Sequence, residues 1–464
     1  MLVELTDFIW LALVYILVGF GIFFTLASRF AQVRYFRNMF SMLGEKPPSK
    51  TGVSSIEAVL LSIGGRVGSG NIIGVAVAIS LGGPGAVFWM WVTAFLGMAT
   101  SYYESTLAQL FKRKEGDEYR GGPQNYIRYG MGKKWGLLAG LYAILLIITF
   151  GFAFNIMQSF ALASSFEQSF GISTIMTGLG LSVLIAAIVF GGVRRIAHFT
   201  DVMVPIMALG YVLTAFYVIG VNIGEMPAVF SSIIDSAFGL NEAASGAVGA
   251  AIGLGVRRGL FSNEAGLGST TVAAAAANVS HPSTQGLAQA LGVFVDTIVI
   301  CSATAAIILL SDAYAPGANT DGLVLTQLSL TEHIGIYASQ FLSVALAFFV
   351  VTSIIYNYYL GETAIDFFSG DNKMVFIGFR VSLLFLVFWG AQQDLATVLS
   401  FTDFSMGILA LVNLFALTML FKVAQRVLAD FDSQLKQGIK SPKLDPDKFP
   451  DLDIDRSAWP SNRG

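Results

Sequence analysis

Two stretches put glycine and polar residues where a membrane helix ought to be unbroken: Gly64-Gly65-Arg66-Val67-Gly68-Ser69-Gly70-Asn71 and Arg258-Gly259-Leu260-Phe261-Ser262-Asn263-Glu264-Ala265-Gly266-Leu267-Gly268. Each sits inside a long apolar segment. A hydrocarbon core offers no water to backbone groups freed by a helix break, so breaks survive only where they line a cavity or bind something. Two of them, in matching positions of two halves, point to the binding site of a secondary transporter.

The apolar context is general. The chain is 55% hydrophobic and 12% charged, about half the charged share of a soluble domain. Runs of roughly 20 apolar residues recur along it, each long enough to cross a bilayer. We read an all-α membrane protein with about eleven transmembrane helices, near 6–27, 54–80, 84–111, 135–164, 173–192, 199–223, 244–277, 285–311, 332–362, 374–391 and 399–426. The seventh is too long for one straight crossing, which suits a broken helix. The start, Met1 to Asp7, is acidic and no small-residue cleavage site follows, so no signal peptide is expected ahead of the first helix.

Charge placement predicts the topology. With the N-terminus outside, Arg29, Arg34, Arg37, Lys46 and Lys50 fall inside, as do Lys112, Arg113, Lys114, Arg120, Arg128, Lys133 and Lys134. Arg194, Arg195, Lys373, Lys422 and Arg426 join them, while the outer segments carry only acids such as Glu4, Asp7, Glu167, Glu225, Asp235, Glu242, Asp312, Asp321 and Glu332. This positive-inside pattern predicts a multi-pass protein of a bacterial-type inner (plasma) membrane with a cytoplasmic C-terminus.

Setting the first helix aside leaves ten. A break opens each set of five, and an odd number per set predicts opposite insertion of the two sets. The expected organisation is an N-terminal helix and loop (1–53), a first five-helix repeat (54–223), a second, inverted five-helix repeat (244–426) and a flexible cytoplasmic tail (430–464). The tail reading rests on its polar, mixed-charge, proline-containing composition.

Other chemistries are poorly served. Cys301 is the only cysteine, and His198, His281 and His333 are scattered, so neither a redox pair nor a metal cluster is expected. The net charge of −3 gives no reason to expect nucleic acid. The spacing G-x-G-x-x-x-G, with no soluble strand before it, does not make a nucleotide loop. No cofactor and no catalytic cluster are expected.

The residues also carry a resemblance. Gly68-Ser69-Gly70-Asn71-Ile72-Ile73-Gly74-Val75-Ala76, Gly82-Gly83-Pro84-Gly85-Ala86-Val87-Phe88-Trp89-Met90-Trp91 and Arg258 to Ser269 resemble the alanine or glycine:cation symporter family. Gly121-Gly122-Pro123, Val295-Asp296-Thr297 and Gly361-Glu362 are similar to it too. The resemblance covers nearly the whole membrane region. It implies a sodium-coupled, less often proton-coupled, importer of small neutral amino acids with an inverted-repeat fold. The partners it implies are the amino acid, the sodium ion as co-substrate and the lipid bilayer. A non-transporting amino-acid receptor on the same fold is the alternative from another class, and it would need an output domain.

A zwitterion supports that substrate class on physical grounds. Its carboxylate needs donors in a low-dielectric site, which broken-helix N-termini supply. Ser69, Gly70, Asn71, Phe261 and Asn263 lie in the breaks, and Gln158 shares a helix face with Asn155. By resemblance, Gln158 and Phe261 lie near the substrate. Sodium prefers oxygen; by resemblance the carbonyls of Gly64 and Val67 and the hydroxyls of Thr352 and Ser353 would hold it. The competing role of a Thr-Ser pair is a bond back to its own helix. The intramembrane charges Arg66, Glu104, Arg258, Glu264 and Asp296 are functional candidates by default. We place all but the mid-membrane Asp296 toward the inside, where pairs among them would act as a cytoplasmic gate or as fixed bridges. The chain departs from the family at Asn357, where a Trp is usual, and at Ala391-Gln392-Gln393-Asp394 and Ser269-Thr270-Thr271.

Overall fold

A computed structural model describes residues 2–49, 51–191, 193–240, 245–315, 322–370 and 372–460. Among the described residues the regular structure is helical apart from one short antiparallel hairpin, β1 (Arg113–Glu115) and β2 (Glu118–Arg120). By length and composition, seven helices among the described residues suffice to cross a membrane, or eight if one bent pair counts as a single span.

The first helix, α1, is Leu2–Ala27. The bent pair follows: α2 (Ser55–Arg66), then a widened turn at Gly70–Gly74 leading into α3 (Val75–Gly82). The two halves diverge by 57°. Ser54 starts α2 with a complete capping box, its hydroxyl accepting from Glu57 N while the Glu57 carboxylate accepts from Ser54 N. Next come α4 (Gly85–Leu110), the hairpin, and α5 (Gly136–Leu146), which runs through a second widened turn (Ile147–Ala153) into α6 (Phe154–Phe170). Then follow α7 (Thr174–Val189), α8 (Val193–Val221) and α9 (Met226–Phe238).

The second interrupted helix is α10 (Ser245–Asn263) and α11 (Thr270–Ala276), separated at Glu264–Ser269. After it, α12 (Pro282–Val293) passes through a widened turn (Phe294–Cys301) into α13 (Ser302–Leu309). The chain ends with α14 (Gly322–Ile334), α15 (Ala338–Ser369), α16 (Lys373–Gly390) and α17 (Leu395–Lys436). Both helix interruptions fall where the glycine-polar stretches placed them. Two of the segments read as outer loops instead contain helices, α9 and α14.

The two ends of the bundle differ. At one, α1 and α17 begin and Trp10 Nε1 donates to Asp403 O at 3.1 Å. At the other, which carries the hairpin, Tyr103 of α4 packs on Phe24 of α1 and accepts from Gln425 of α17.

Residues 431–460 overturn the reading of a flexible tail over 430–464, of which 461–464 lie outside the described residues. Residues to Lys436 continue α17, and the following segment lies on the protein. Leu444, Phe449, Ile454 and Trp459 are buried. Gln434 pins the turn, donating to Lys443 O and accepting from Lys443 N, both at 2.9 Å. Lys448 donates to Asp430 at 2.6 Å and His281 faces the same carboxylate. Burial pushes the Asp430 carboxyl up, but the bonds to His281 and Lys448 outweigh it and hold its pKa at about 2. Average composition hid these sparse apolar anchors, each worth about 1.5–3 kcal/mol on burial.

Helix α10 crosses α4 closely. A Cβ on Gly255 would stand 2.5 Å from Ala86 O and 2.6 Å from Trp89 Cβ, whereas one on Gly253 would meet nothing within 4 Å. Gly255→Ala is expected to cost about 1–3 kcal/mol through overpacking. Gly253→Ala is expected to be neutral or to stabilise by up to about 1 kcal/mol. Thermal unfolding of the two purified variants in detergent checks the contrast; equal melting would remove the close crossing from the account.

Candidate functional site

The first interruption leaves backbone groups that other helices answer. Val67 adopts an extended conformation (φ −75°, ψ 94°) and ends α2. Beyond it, Gly68 N donates to Asn71 Oδ1 and Ser69 N donates to Gln158 Oε1, both at 2.9 Å. On the carbonyl side, Ser353 Oγ donates to Gly64 O and Val67 O, each at 3.3 Å. The junction is tight: a Cβ on Gly68 would lie 2.7 Å from Ser353 Oγ and 2.8 Å from Gln158 Nε2. Thr352 points elsewhere. Its hydroxyl donates to Phe348 O and Phe349 O of its own helix at 3.0 Å.

The second interruption is a tight backbone coil. Glu264, Gly266 and Gly268 have φ of 56°, 91° and 80°. For the two glycines this conformation is free of Cβ strain. The amides freed from helical bonding form an anion-binding concavity, and Glu104 fills it: its carboxylate accepts from Gly266 N at 3.2 Å, Gly268 N at 3.1 Å and Asn413 Nδ2 at 2.9 Å. Asn413 also donates to Gly266 O at 2.8 Å and accepts from Tyr126 Oη. Tyr142 and Tyr356 donate to the carbonyls of Leu267 and Ser269 at 2.6 and 2.9 Å.

Asp296 ties the two interruptions together. The widened turn after α12 presents its carboxylate to Asn71 Nδ2 (2.7 Å), Ser262 Oγ (2.6 Å) and Thr297 Oγ1 (2.8 Å). Asn71 Nδ2 also reaches Ser262 Oγ at 3.0 Å, and Thr304 donates to Asn71 O at 2.6 Å. One buried acid thus joins a residue of each break.

Aromatic and amide groups complete the surroundings. Phe261 packs on Gly70 and stacks on Phe154, with ring centroids 5.0 Å apart. Asn263 Oδ1 accepts from Ala265 N at 3.0 Å. Asn357 donates to Asn155 Oδ1 at 3.1 Å, and Asn155 in turn donates to Phe150 O and Gly151 O, carbonyls of the widened turn before α6. Ser69 Oγ, Asn263 Nδ2 and Asn357 Oδ1 are buried with no hydrogen-bond partner.

The expected charge pairs rearrange. No two of Arg66, Glu104, Arg258, Glu264 and Asp296 form an ion pair within 4.0 Å among the described residues. Arg66 donates to the Gln289 carbonyl and side chain at 3.3 Å, and Glu264 accepts from Ser269 Oγ at 2.5 Å. Arg258 pairs instead with Asp403 of α17, a residue the sequence reading passed over. Arg257 lies 2.9 Å from the same carboxylate and 3.0 Å from Asp7. This group sits toward the end where α1 and α17 begin, away from Glu104, so the placement of Arg258 with Glu104 is corrected. Asp403 carried a signal: it is an acid within an apolar span, the criterion already applied to Asp296.

Two interrupted helices whose freed carbonyls and amides are met by buried side chains, within an apolar helical bundle, have the architecture of a membrane carrier. The chain matches the sodium:alanine symporter family over residues 1–446 and belongs to it. It is 45% identical over 434 residues to the amino-acid carrier protein AlsT of Bacillus subtilis (94% of this chain, 92% of the relative). It is 44% identical over 436 residues to the same organism's probable sodium/glutamine symporter GlnT (93% and 90%). Identity to the sodium/alanine symporter AgcS of Methanococcus maripaludis is 33% over 439 residues (92% and 95%). The protein is therefore a multi-pass membrane carrier that couples amino-acid transport to a cation, and not an enzyme.

Glu104 fills a concavity of N–H donors, so Glu104→Gln sets an amide NH2 where one donor expects an oxygen. An unmet buried donor costs about 1–3 kcal/mol. The variant is expected to unfold earlier by that amount in a thermal melt; wild-type stability would show that the amides find other acceptors.

Proposed function

We propose that this carrier imports small neutral amino acids (alanine and glycine, with serine or glutamine also accepted) driven by sodium, through alternating access in a plasma membrane. The observation that carries the coupling is Ser353 Oγ lying on two carbonyls freed by the first break, Gly64 O and Val67 O. Three oxygens converge there, the chemistry sodium prefers, with Thr352 one residue away to supply a fourth after a χ1 rotation. Sodium moving with a neutral zwitterion carries one charge. Across about 100 mV that is worth about 2.3 kcal/mol, or roughly fiftyfold accumulation from the potential alone. The alternative is proton coupling, which would run through a buried acid such as Glu104, Glu264 or Asp296 and needs no oxygen cage.

The substrate reading places the carboxylate against the amides after Val67. Gln158 Oε1 now occupies Ser69 N as a carboxylate oxygen would. Ser69, Gly70, Asn71, Phe261 and Asn263 complete the contacts, with Asn357 near the side chain. Buried polar atoms without partners at Ser69, Asn263 and Asn357 favour a ligand that supplies donors and acceptors. Asn357 in place of a bulky Trp leaves room and polarity for serine or glutamine. Arg66, Glu104, Arg258, Glu264 and Asp296 serve gating and coupling: Asp296 by linking the breaks, Arg258 through Asp403. The architecture we propose is eleven spans, an N-terminal helix plus two inverted repeats of five (54–223 and 244–426), with the N-terminus outside and the C-terminus cytoplasmic. The charge distribution supports it.

Uptake of labelled alanine into proteoliposomes, with and without a sodium gradient, tests the whole reading; equal uptake in both would remove sodium. Ser353→Ala is expected to raise half-saturating sodium about tenfold, the effect of about 1.4 kcal/mol. Thr352→Val should raise it less, since its hydroxyl already bonds its own helix.

For the substrate, Asn357→Trp is expected to abolish competition by serine and glutamine against alanine while leaving alanine itself. Unaltered competition would detach Asn357 from selectivity.

A further inference from the structure

We propose that the C-terminal segment 441–459 is a clasp docked on the hairpin end of the bundle, where it holds the inner ends of the two interrupted helices together. The proposal rests on the alternating-access reading above, in which this end must part for release.

The two interrupted helices meet through backbone at that end. Val53, which leads into α2, donates to Ala276 O at 3.2 Å and accepts from Asn278 N at 2.8 Å, making a parallel bridge with Ala277. Two side chains from the end of α4 secure the junction. Gln109 Nε2 and Lys112 Nζ both donate to Ala277 O at 2.8 Å.

The tail covers this junction. Lys112 is 1% exposed, and its ammonium lies 4.1 Å from the Tyr119 ring centroid and 4.5 Å from that of Trp459. Trp459 is itself buried and donates from Nε1 to Gln109 O at 3.1 Å. A desolvated ammonium is costly unless acceptors and rings surround it. Here the acceptor is the carbonyl of Ala277 and one of the rings belongs to the tail. Moving either Ala277 or Trp459 leaves Lys112 underserved, so opening of the helix junction and departure of the tail are coupled.

Further contacts spread the clasp over three neighbouring elements. On the hairpin, Arg113 pairs with Asp453 at 3.0 Å and Lys114 N donates to Asp455 Oδ2 at 2.9 Å. On the turn after Ala277, Ser280 O accepts from Leu444 N at 2.9 Å. On α17, Arg426 pairs with Asp451 at 2.6 Å and lies over Phe449. The segment therefore bridges elements that separate when the interrupted helices part. Its release favours the open end, and its return favours closure.

The test labels the junction. Ala277 is fully buried, so Ala277→Cys reacts with a maleimide only when this end opens; the parent protein, whose one cysteine is the buried Cys301, gives the background. Trp459→Ala removes the ring over Lys112. Asp453→Arg sets like charges against Arg113 on the exposed side of the clasp, which spares the fold if loss of the indole does not. Each is expected to speed labelling of the introduced thiol about fivefold or more, the effect of losing about 1 kcal/mol of closure. Labelling no faster than with the intact tail, in variants that stay monodisperse on gel filtration, would overturn the clasp. Labelling involves no transported species, so it decides this point independently of uptake. Failure of wild-type alanine uptake overturns the transport reading and leaves the labelling result standing.

Discussion

A backbone amide or carbonyl freed inside hydrocarbon has to be answered by the protein, and the centre of this structure follows from that constraint. The first break frees Gly64 O and Val67 O on one side and the amides of Gly68 and Ser69 on the other. The groups that answer them come from α6, α15 and the break itself: Gln158, Ser353 and Asn71. The second break is answered from α4, α5, α15 and α17 by Glu104, Tyr142, Tyr356 and Asn413. Buried polar side chains from six parts of the chain thus converge on broken backbone. In the proposed function, a ligand that binds the breaks has to replace some of these partners, and the broken backbone would then be both scaffold and site.

The two breaks are answered differently. Glu104 brings a carboxylate into the coil of amides at the second break, so that anion site is already filled by the protein itself. At the first break the stand-in for a carboxylate is only an amide oxygen, that of Gln158. A neutral amide is the weaker acceptor, so an incoming carboxylate displaces it more readily. The asymmetry favours the first break as the place for a substrate's carboxylate and gives the second a fixed shape. Asp296, bonded to Asn71 and Ser262, links the segments around the two breaks.

Much of this was legible before the structure. Glycine and polar residues inside apolar runs located both interruptions because lipid tolerates such residues only where something answers them. The resemblance named Gly64, Val67, Ser353 and Gln158, and the structure brings them to one junction around Gly68. Arg258 shows the opposite case. It is spaced close to Glu264 in sequence, yet its partner is Asp403, 145 residues later. Thr352 and Ser353 are adjacent and chemically alike, but the helical rotation between them sends one hydroxyl to its own helix and the other to the break.

Local pattern was enough for the class: apolar length demands helices in a bilayer, and polar breaks within that length demand partners. It was also enough for the position of the breaks, since glycine and polar residues in lipid act on their own stretch of backbone. Which group answers which was settled by packing in three dimensions. Long-range pairs such as Glu104 with Gly266 and Gly268, or Arg258 with Asp403, depend on helix crossings that no local pattern encodes. The tail is the clearest example. Its composition is that of a solvated segment, and a few apolar side chains suffice to order it once Trp459 finds the buried Lys112 that another part of the chain provides.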